Sequence, residues 1–224
     1  DVGWYNPLID WQAPPDKVFM SKVFTFTPDY QYPVNGKEII KGGTGYNYPS
    51  GGEKLSEEIE HIYPDYKLYP QFKNTAYGFL TRGCPRGCDF CIVKDKEGRK
   101  SVKVADLNEF WDGQKNIVLL DPNMFACKDW KDLSRQLINS KAWVDFSQGC
   151  DIRIMGAEKA EYLKQIKVKQ VHFAWDRYED KNIIIPKFKE LKEILGWDKR
   201  KLPVYVLTNF NTTFEQDLER VYLL

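Results

Sequence analysis

Thr81-Arg82-Gly83-Cys84-Pro85-Arg86-Gly87-Cys88-Asp89-Phe90-Cys91 places three cysteines in the spacing C-x3-C-x2-C. Three thiolates on one short loop can hold three irons of a cubane cluster and leave the fourth iron open for chemistry, whereas a fully ligated cluster mainly carries electrons. Positions i, i+4 and i+7 also share one face of a helix. Pro85 argues against that helix because it lacks a backbone donor, and Gly83 and Gly87 both weaken one. The stretch reads as a loop that wraps something. Zinc is the alternative occupant, but a closed zinc site wants four ligands, commonly in two C-x2-C knuckles, and one such pair is here. The two histidines of the chain, His61 and His172, lie far off in sequence. Five cysteines in 224 residues are sparse and odd in number, which suits a reducing compartment better than a disulfide scaffold.

Outward from this loop, the chain alternates strand and helix from Asn74 onward. Ala76–Leu80 reads as a strand leading into the loop, and Val104–Trp111 as a helix with Asp106 at its N-cap. Strands at 116–120, 144–148, 170–174 and 203–207 alternate with helices at 130–140, 157–166, 186–195 and 213–223, with Pro186 opening the third of these helices. Five βα units predict a parallel sheet. In parallel α/β barrels, chemistry gathers where strands end. Polar residues fall there: Asp121 and Asn123; Ser147, Gln148, Asp151 and Arg153; Asp176 and Arg177; Asn209, Asn211, Thr212 and Thr213. Each has a plain reading too. Asp121-Pro122-Asn123 is a good turn, and Thr212 or Thr213 can cap the last helix with Glu215 or Gln216.

Cys84, Cys88, Phe90 and Cys91 resemble the C-x3-C-x-aromatic-C signature of the radical S-adenosylmethionine (SAM) superfamily. Arg82-Gly83-Cys84-Pro85 resembles the subgroup that carries a cobalamin-binding-like domain before the barrel, and the methylthiotransferases. The resemblance implies a [4Fe-4S] cluster on Cys84, Cys88 and Cys91, with SAM bound at the open iron. One electron then cleaves SAM to a 5′-deoxyadenosyl radical, which takes hydrogen from a substrate that the sequence does not name. It also implies an α/β fold with a partial (β/α)6 barrel, a partial TIM barrel, and an external electron donor of flavodoxin or ferredoxin type. Asp121 and Asn123 are then expected at the SAM methionine amine, Arg153 at its carboxylate, and Asp176 at the ribose. Phe90, Ile92, Asn209 and Asn211 are expected around the adenine. Asn209-Phe210-Asn211-Thr212 resembles a Gly-Phe-Pro-Gly turn with both glycines replaced. His172 is read as packing, and Cys127 and Cys150 as ordinary buried thiols. A homologue that binds SAM without catalysis, and a zinc-binding interaction module, are the competing classes.

Residues 1–72 read differently, rich in Tyr, Pro and Gly. Strands are expected at Val18–Phe26 and Glu38–Lys41, and a short helix at Leu55–Ile62. Gly42-Gly43-Thr44-Gly45 is a plain turn by itself, and in context it resembles the Gly-Gly turn of flavodoxin-like cobalamin domains. The ligating motif D-x-H-x-x-G is absent from the sequence, so this region is expected to be an incomplete flavodoxin-like fold that does not bind cobalamin. Residues 73–224 are expected to form the radical SAM barrel. The start at Asp1 and the apolar helical pattern still running at Val221–Leu224 lead to the expectation of a longer protein, with a sixth unit beyond Leu224. A formal net charge of +1 marks no nucleic-acid patch, and the basic run Lys94–Lys103 is diluted by acids. No apolar run reaches the ~18 residues of a membrane span, and no signal peptide is seen, so a cytoplasmic protein with no membrane partner is expected.

Overall fold

The computed structural model describes residues 3–52 and 55–224. Asp1, Val2, Glu53 and Lys54, which fall within the expected 1–72 region, lie outside the described residues. The chain divides into two compact units, one running to His61 and including Asp65–Pro70, the other made of Ile62–Pro64 and Gln71–Leu224.

In the first unit, a single-turn helix α1 (Pro7–Asp10) is capped by Asn6, whose side chain accepts from the Leu8 N–H at 3.0 Å. Strands β1 (Lys17–Ser21) and β2 (Glu38–Gly42) pair in parallel, from Lys17 opposite Glu38 to Ser21 opposite Gly42. The expected strand to Phe26 stops at Ser21 because the chain turns: the Lys22 N–H donates to the Gly42 carbonyl and the Gly45 N–H to the Lys22 carbonyl. That turn explains its glycines. Gly43 has φ +90°, and a Cβ there would lie 2.5 Å from the Lys22 carbonyl oxygen. The expected helix at Leu55–Ile62 shrinks to α2 (Glu57–Glu60), whose acidic residues have no basic residue in the last turn.

The second unit opens with β3 (Thr75–Gly78). A small antiparallel pair, β4 (Thr81–Arg82) and β5 (Val102–Lys103), then brackets the cysteine loop and the short helix α3 (Val93–Lys96). There follow β6 (Asn116–Leu119), α4 (Trp130–Ser140), β7 (Trp143–Cys150), α5 (Ala157–Gln165), β8 (Val168–Ala174), α6 (Lys181–Leu195), β9 (Val204–Tyr205) and α7 (Phe214–Leu223). Strands β3, β6, β7, β8 and β9 form one sheet in that order, every pair parallel. The unit is thus mixed α/β with five parallel strands in chain order.

Two expected helices come out differently. Val104–Trp111 is a 3-10 turn at Leu107–Glu109, closed by a capping box between Asp106 and Glu109. The helix expected to open at Pro186 begins at Lys181 and carries Pro186 inside it. Burial of Ile184 favours this upstream extension despite the lost backbone donor.

The sheet has two unlike faces. Ala76, Ile117, Val144, Phe146, Val171 and Phe173 are buried, and α4, α5 and α6 add Leu133, Leu137, Leu163 and Leu191 to this core. Register places Tyr77 beside Val118, Val118 beside Asp145, and Asp145 beside Gln170 on the opposite face, with Tyr205 beside Ala174. His172 shares that face by the alternation of the strand.

Candidate functional site

The cysteine loop is held at its start by Asp121, at the end of β6. The Asp121 carboxylate accepts from the Thr81 N–H and hydroxyl, each at 2.6 Å, and from the Leu80 N–H at 3.1 Å. Burial pushes its carboxyl up to about 6, against these three hydrogen bonds. Asp121, expected beside a methionine amine, therefore has both oxygens committed to the strand entering the loop. Gly83 turns next, at φ +83°, with its N–H on Glu97 Oε2 at 3.0 Å. Only a glycine fits, because a Cβ would run into the Lys100 carbonyl oxygen. The Cys84 N–H donates to the Gly98 carbonyl at 3.2 Å, and the Cys91 N–H to the Cys88 carbonyl at 3.1 Å. Ile92 starts the turn into α3, its carbonyl accepting from the Asp95 and Lys96 N–H groups.

Burial raises the Cys91 thiol above its ordinary value, and negative charge on Cys88, Cys84 and Asp176 raises it further. Cys88, Cys84 and Asp176 are thus each within electrostatic reach of Cys91. Among the described residues no three His, Cys, Asp or Glu side chains gather closely enough around one point to hold a metal ion. A cubane makes a different demand, since each thiolate takes its own iron. Asn123 adjoins the same place. Its side-chain Nδ2 lies 3.6 Å from Cys84 Sγ, and its buried Oδ1 has no hydrogen-bond partner. Its backbone carbonyl accepts from Ser101 Oγ at 2.9 Å, which fixes the residue at the loop. A buried amide with one unanswered oxygen is an uncommon feature that a bound group would satisfy.

Arg153, expected at a methionine carboxylate, faces Asp151 with its Nε at 2.6 Å and Asp180 with its Nη1. Asp176 is half-buried. Burial pushes its carboxyl up, and Arg153, Arg220 and Arg86 pull it back. Asp176, Asp89, Phe90, Phe210, Asn211 and Thr212 help line a cleft with about 400 Å³ of space, part of it open to solvent. Phe90 and Phe210 meet edge to face there, centroids 5.3 Å apart.

The turn after β9 keeps glycine-like geometry without glycine. Asn209 and Asn211 adopt φ +59° and +53°, a region in which Asn is the best-tolerated residue after Gly. The Asn209 N–H donates to Asp217 Oδ2 at 2.9 Å. Asp217 is in turn paired with Arg220, which is fully buried and also donates at 2.6 Å to the carbonyls of Trp175 and Leu207. Sequence reading passed over Arg220 because a charged residue in an amphipathic helix looks solvated. The available signal was its place three residues after Asp217, on one face of α7.

The structure thus sets Asn123 beside Cys84, brings Cys84, Cys88 and Asp176 within electrostatic reach of Cys91, and places Asp176, Phe90 and Asn211 around one cleft. Asp121 and Arg153 are turned to protein partners. Cys127 and Cys150 are buried, and burial raises both thiols. His172 stacks on Tyr205 with rings 7° from parallel, its Nδ1 3.1 Å from the Phe146 carbonyl and 3.6 Å from Asp145 Oδ1. A bulge in β7 around Gly149 (φ +105°) sets Ser147 and Gln148 at the strand exit. Asp145 interrupts the apolar run between Val144 and Phe146 with the period of a two-faced strand, which puts it on the His172 face.

No family model matches the chain. Over 108 residues the chain is 35% identical to the tRNA-2-methylthio-N(6)-dimethylallyladenosine synthase of Sulfurihydrogenibium sp. (strain YO3AOP1), covering 42% of this chain and 25% of that protein. The chain thus spans about a quarter of the length of the curated relative it matches. The matched protein is named as a synthase of a methylthio-modified tRNA nucleoside, and Arg82-Gly83-Cys84-Pro85 resembles the methylthiotransferases. Among the described residues no helix is long and apolar enough to cross a membrane.

Proposed function

We propose that this chain is the catalytic part of a radical SAM enzyme, with Cys84, Cys88 and Cys91 holding a [4Fe-4S] cluster. The observation that carries the reading is the three-cysteine loop at the exit of the first strand of a five-stranded parallel sheet, with Asn123 poised beside Cys84. Its donor set suits the group: three thiols on one loop, no fourth thiol in it, and a buried amide oxygen still unanswered. When bound, the cluster supplies an open iron and an electron for reductive cleavage of SAM to the 5′-deoxyadenosyl radical that abstracts hydrogen.

The chain's own residues bind, orient and exclude water. Asn123 orients the cofactor end nearest Cys84. Phe90 and Phe210 offer apolar edges in the cleft for an adenine, with Asn211 and Asn209 shaping the turn beside it. Asp176, half-buried at the same cleft, accepts from ribose hydroxyls. Arg153 acts through Asp151 and Asp180 rather than on a carboxylate of SAM. The polar sheet face with Asp145, Ser147, His172 and Tyr205 lies on the substrate side. Electrons come from a flavodoxin- or ferredoxin-type donor in the cytoplasm. The preceding unit is a remnant of a cobalamin-domain-like fold without cobalamin.

Anaerobically purified protein should contain iron and acid-labile sulfide, and should release 5′-deoxyadenosine from SAM on addition of dithionite. Folded protein free of iron would sink the reading in favour of a zinc module. An intact cluster with no 5′-deoxyadenosine would leave a SAM-binding homologue without catalysis. Cys88→Ala should remove both the absorption near about 400 nm and the cleavage, since the cubane requires each thiolate.

A further inference from the structure

Arg86 lies in the cysteine loop between Pro85 and Gly87, and its guanidinium faces two carboxylates. Its Nε lies 3.7 Å from Asp151 Oδ2 and its Nη2 3.6 Å from Asp180 Oδ2. The same two carboxylates are gripped more tightly by Arg153. That residue places its Nε 2.6 Å and its backbone N–H 3.1 Å from Asp151 Oδ1, and its Nη1 on Asp180. Each aspartate therefore sits between two guanidinium groups, and Asp176 lies within electrostatic reach of both arginines. Such a quartet tolerates partial burial, as the 5% exposure of the Asp151 side chain requires.

We propose that Asp151 and Asp180 hold the cysteine loop in its cluster-ready shape through Arg86, with Arg153 as the strut that fixes the two carboxylates. The two arginines are not equivalent. Arg153 is within hydrogen-bond reach and sits in the turn just after β7, so it belongs to the frame. Arg86 is at ion-pair distance and belongs to the loop, so it is what the frame carries. Asp151 leaves β7 and Asp180 precedes α6. The loop after β3 is thereby tied to the exits of β7 and β8, across the sheet from its own strand. Its other flank is held separately, by Glu97 on the Gly83 N–H and by Gly98 on the Cys84 N–H. A planar fork suits the role because it addresses two carboxylates at once, which an ammonium does poorly. Arg86, Asp151 and Asp180 are positioning residues here. The inference rests on the cluster-binding reading for its purpose, but not for its geometry.

The first readout is backbone hydrogen exchange in the protein before iron is added. Arg86→Gln should speed exchange across Gly83–Ile92 about fivefold, the response to losing one weak tie, while amides of β7 and β8 keep their protection. Arg86→Lys should recover part of it. Asp180→Asn should speed loop exchange less than Arg86→Gln, because Asp151 still holds Arg86, and adding it to Arg86→Gln should change the loop little further. In reconstituted protein the cluster midpoint potential should become more negative in Arg86→Gln and return toward wild type in Arg86→Lys, an effect that a packing role would not produce. Unchanged loop exchange in both single variants, or an unchanged potential, overturns the proposal. Loop exchange that responds as expected in protein that takes up no iron or sulfide would instead sink the cluster reading and leave the tie standing.

Discussion

The unit made of residues up to His61 with Asp65–Pro70 and the unit made of Ile62–Pro64 with Gln71–Leu224 differ in whether they bury aromatic residues. In the first, Trp4, Phe19, Phe24, Phe26 and Tyr32 are exposed, and Val18 is the one buried apolar residue among those described. In the second, Phe125, Phe146, Phe173 and Trp175 are buried between one sheet face and its helices. The difference lies in where the aromatics fall along the chain. Those of the second unit occur at alternate positions of strands or beside long amphipathic helices. Those of the first fall in Pro- and Gly-rich turns around two short strands and single-turn helices. A buried face needs regular structure to line it up, and only the second unit provides that in quantity. The candidate site follows the same division, because every side chain proposed for it leaves the end of a strand or starts from one.

The largest effect should come from the buried charge behind the site. Arg220→Ala leaves Asp217 and the carbonyls of Trp175 and Leu207 without their partner, and should cost about 3–5 kcal/mol in urea unfolding of the second unit. A loss under about 1 kcal/mol would show that Arg220 is not the tie between the fourth and fifth strand exits.

The comparison can be broken directly with two core truncations. Leu137→Ala, in a fully buried position of α4, should cost about 2–5 kcal/mol, and Val18→Ala no more than about 1.5 kcal/mol. Equal losses would mean that the first unit is packed as densely as the second.

Asp121 sharpens the comparison through pH. Its folded value, about 6, lies above the ordinary 3.8, so the folded protein binds this proton more readily than the unfolded chain. The associated stability is fully present below about pH 4 and is lost as pH rises through about 6, up to roughly 3 kcal/mol in all. Wild type minus Asp121→Asn should therefore fall over that interval and be flat above it. A difference that rises with pH would reverse the assignment of burial as the dominant cause.

The smallest effect belongs to the turn after β9. Asn209→Gly should change stability by less than about 0.5 kcal/mol, since glycine accepts the same positive φ, whereas Asn209→Val should cost about 1–2 kcal/mol. Chemical denaturation of the pair checks both signs.

These residues also mark how far the sequence could be read. The parallel alternation was legible from β6 onward because each of those strands is followed by an amphipathic helix; α4 begins and ends where its pattern does. The cysteine loop was legible because a proline and two glycines exclude the helical spacing. What was not legible depends on partners distant in sequence. Asp121 looks like a ligand until Thr81 and Leu80 are seen to claim its oxygens, and Arg153 looks free until Asp180 is folded against it. The helix start at Lys181 was hidden because burial of Ile184 outweighs the local signal of Pro186. In the first unit the glycine turn was visible, but the group approaching it, the Lys22 backbone, was not.

Everything proposed for the site depends on one iron left open by Cys84, Cys88 and Cys91. Electron paramagnetic resonance of dithionite-reduced protein, recorded without and with SAM, tests it most directly. The expected result is the signal of a reduced [4Fe-4S] cluster whose g values shift when SAM is added, because SAM would ligate the fourth iron. A cluster signal that is indifferent to SAM, or no cluster signal in folded protein, would contradict it.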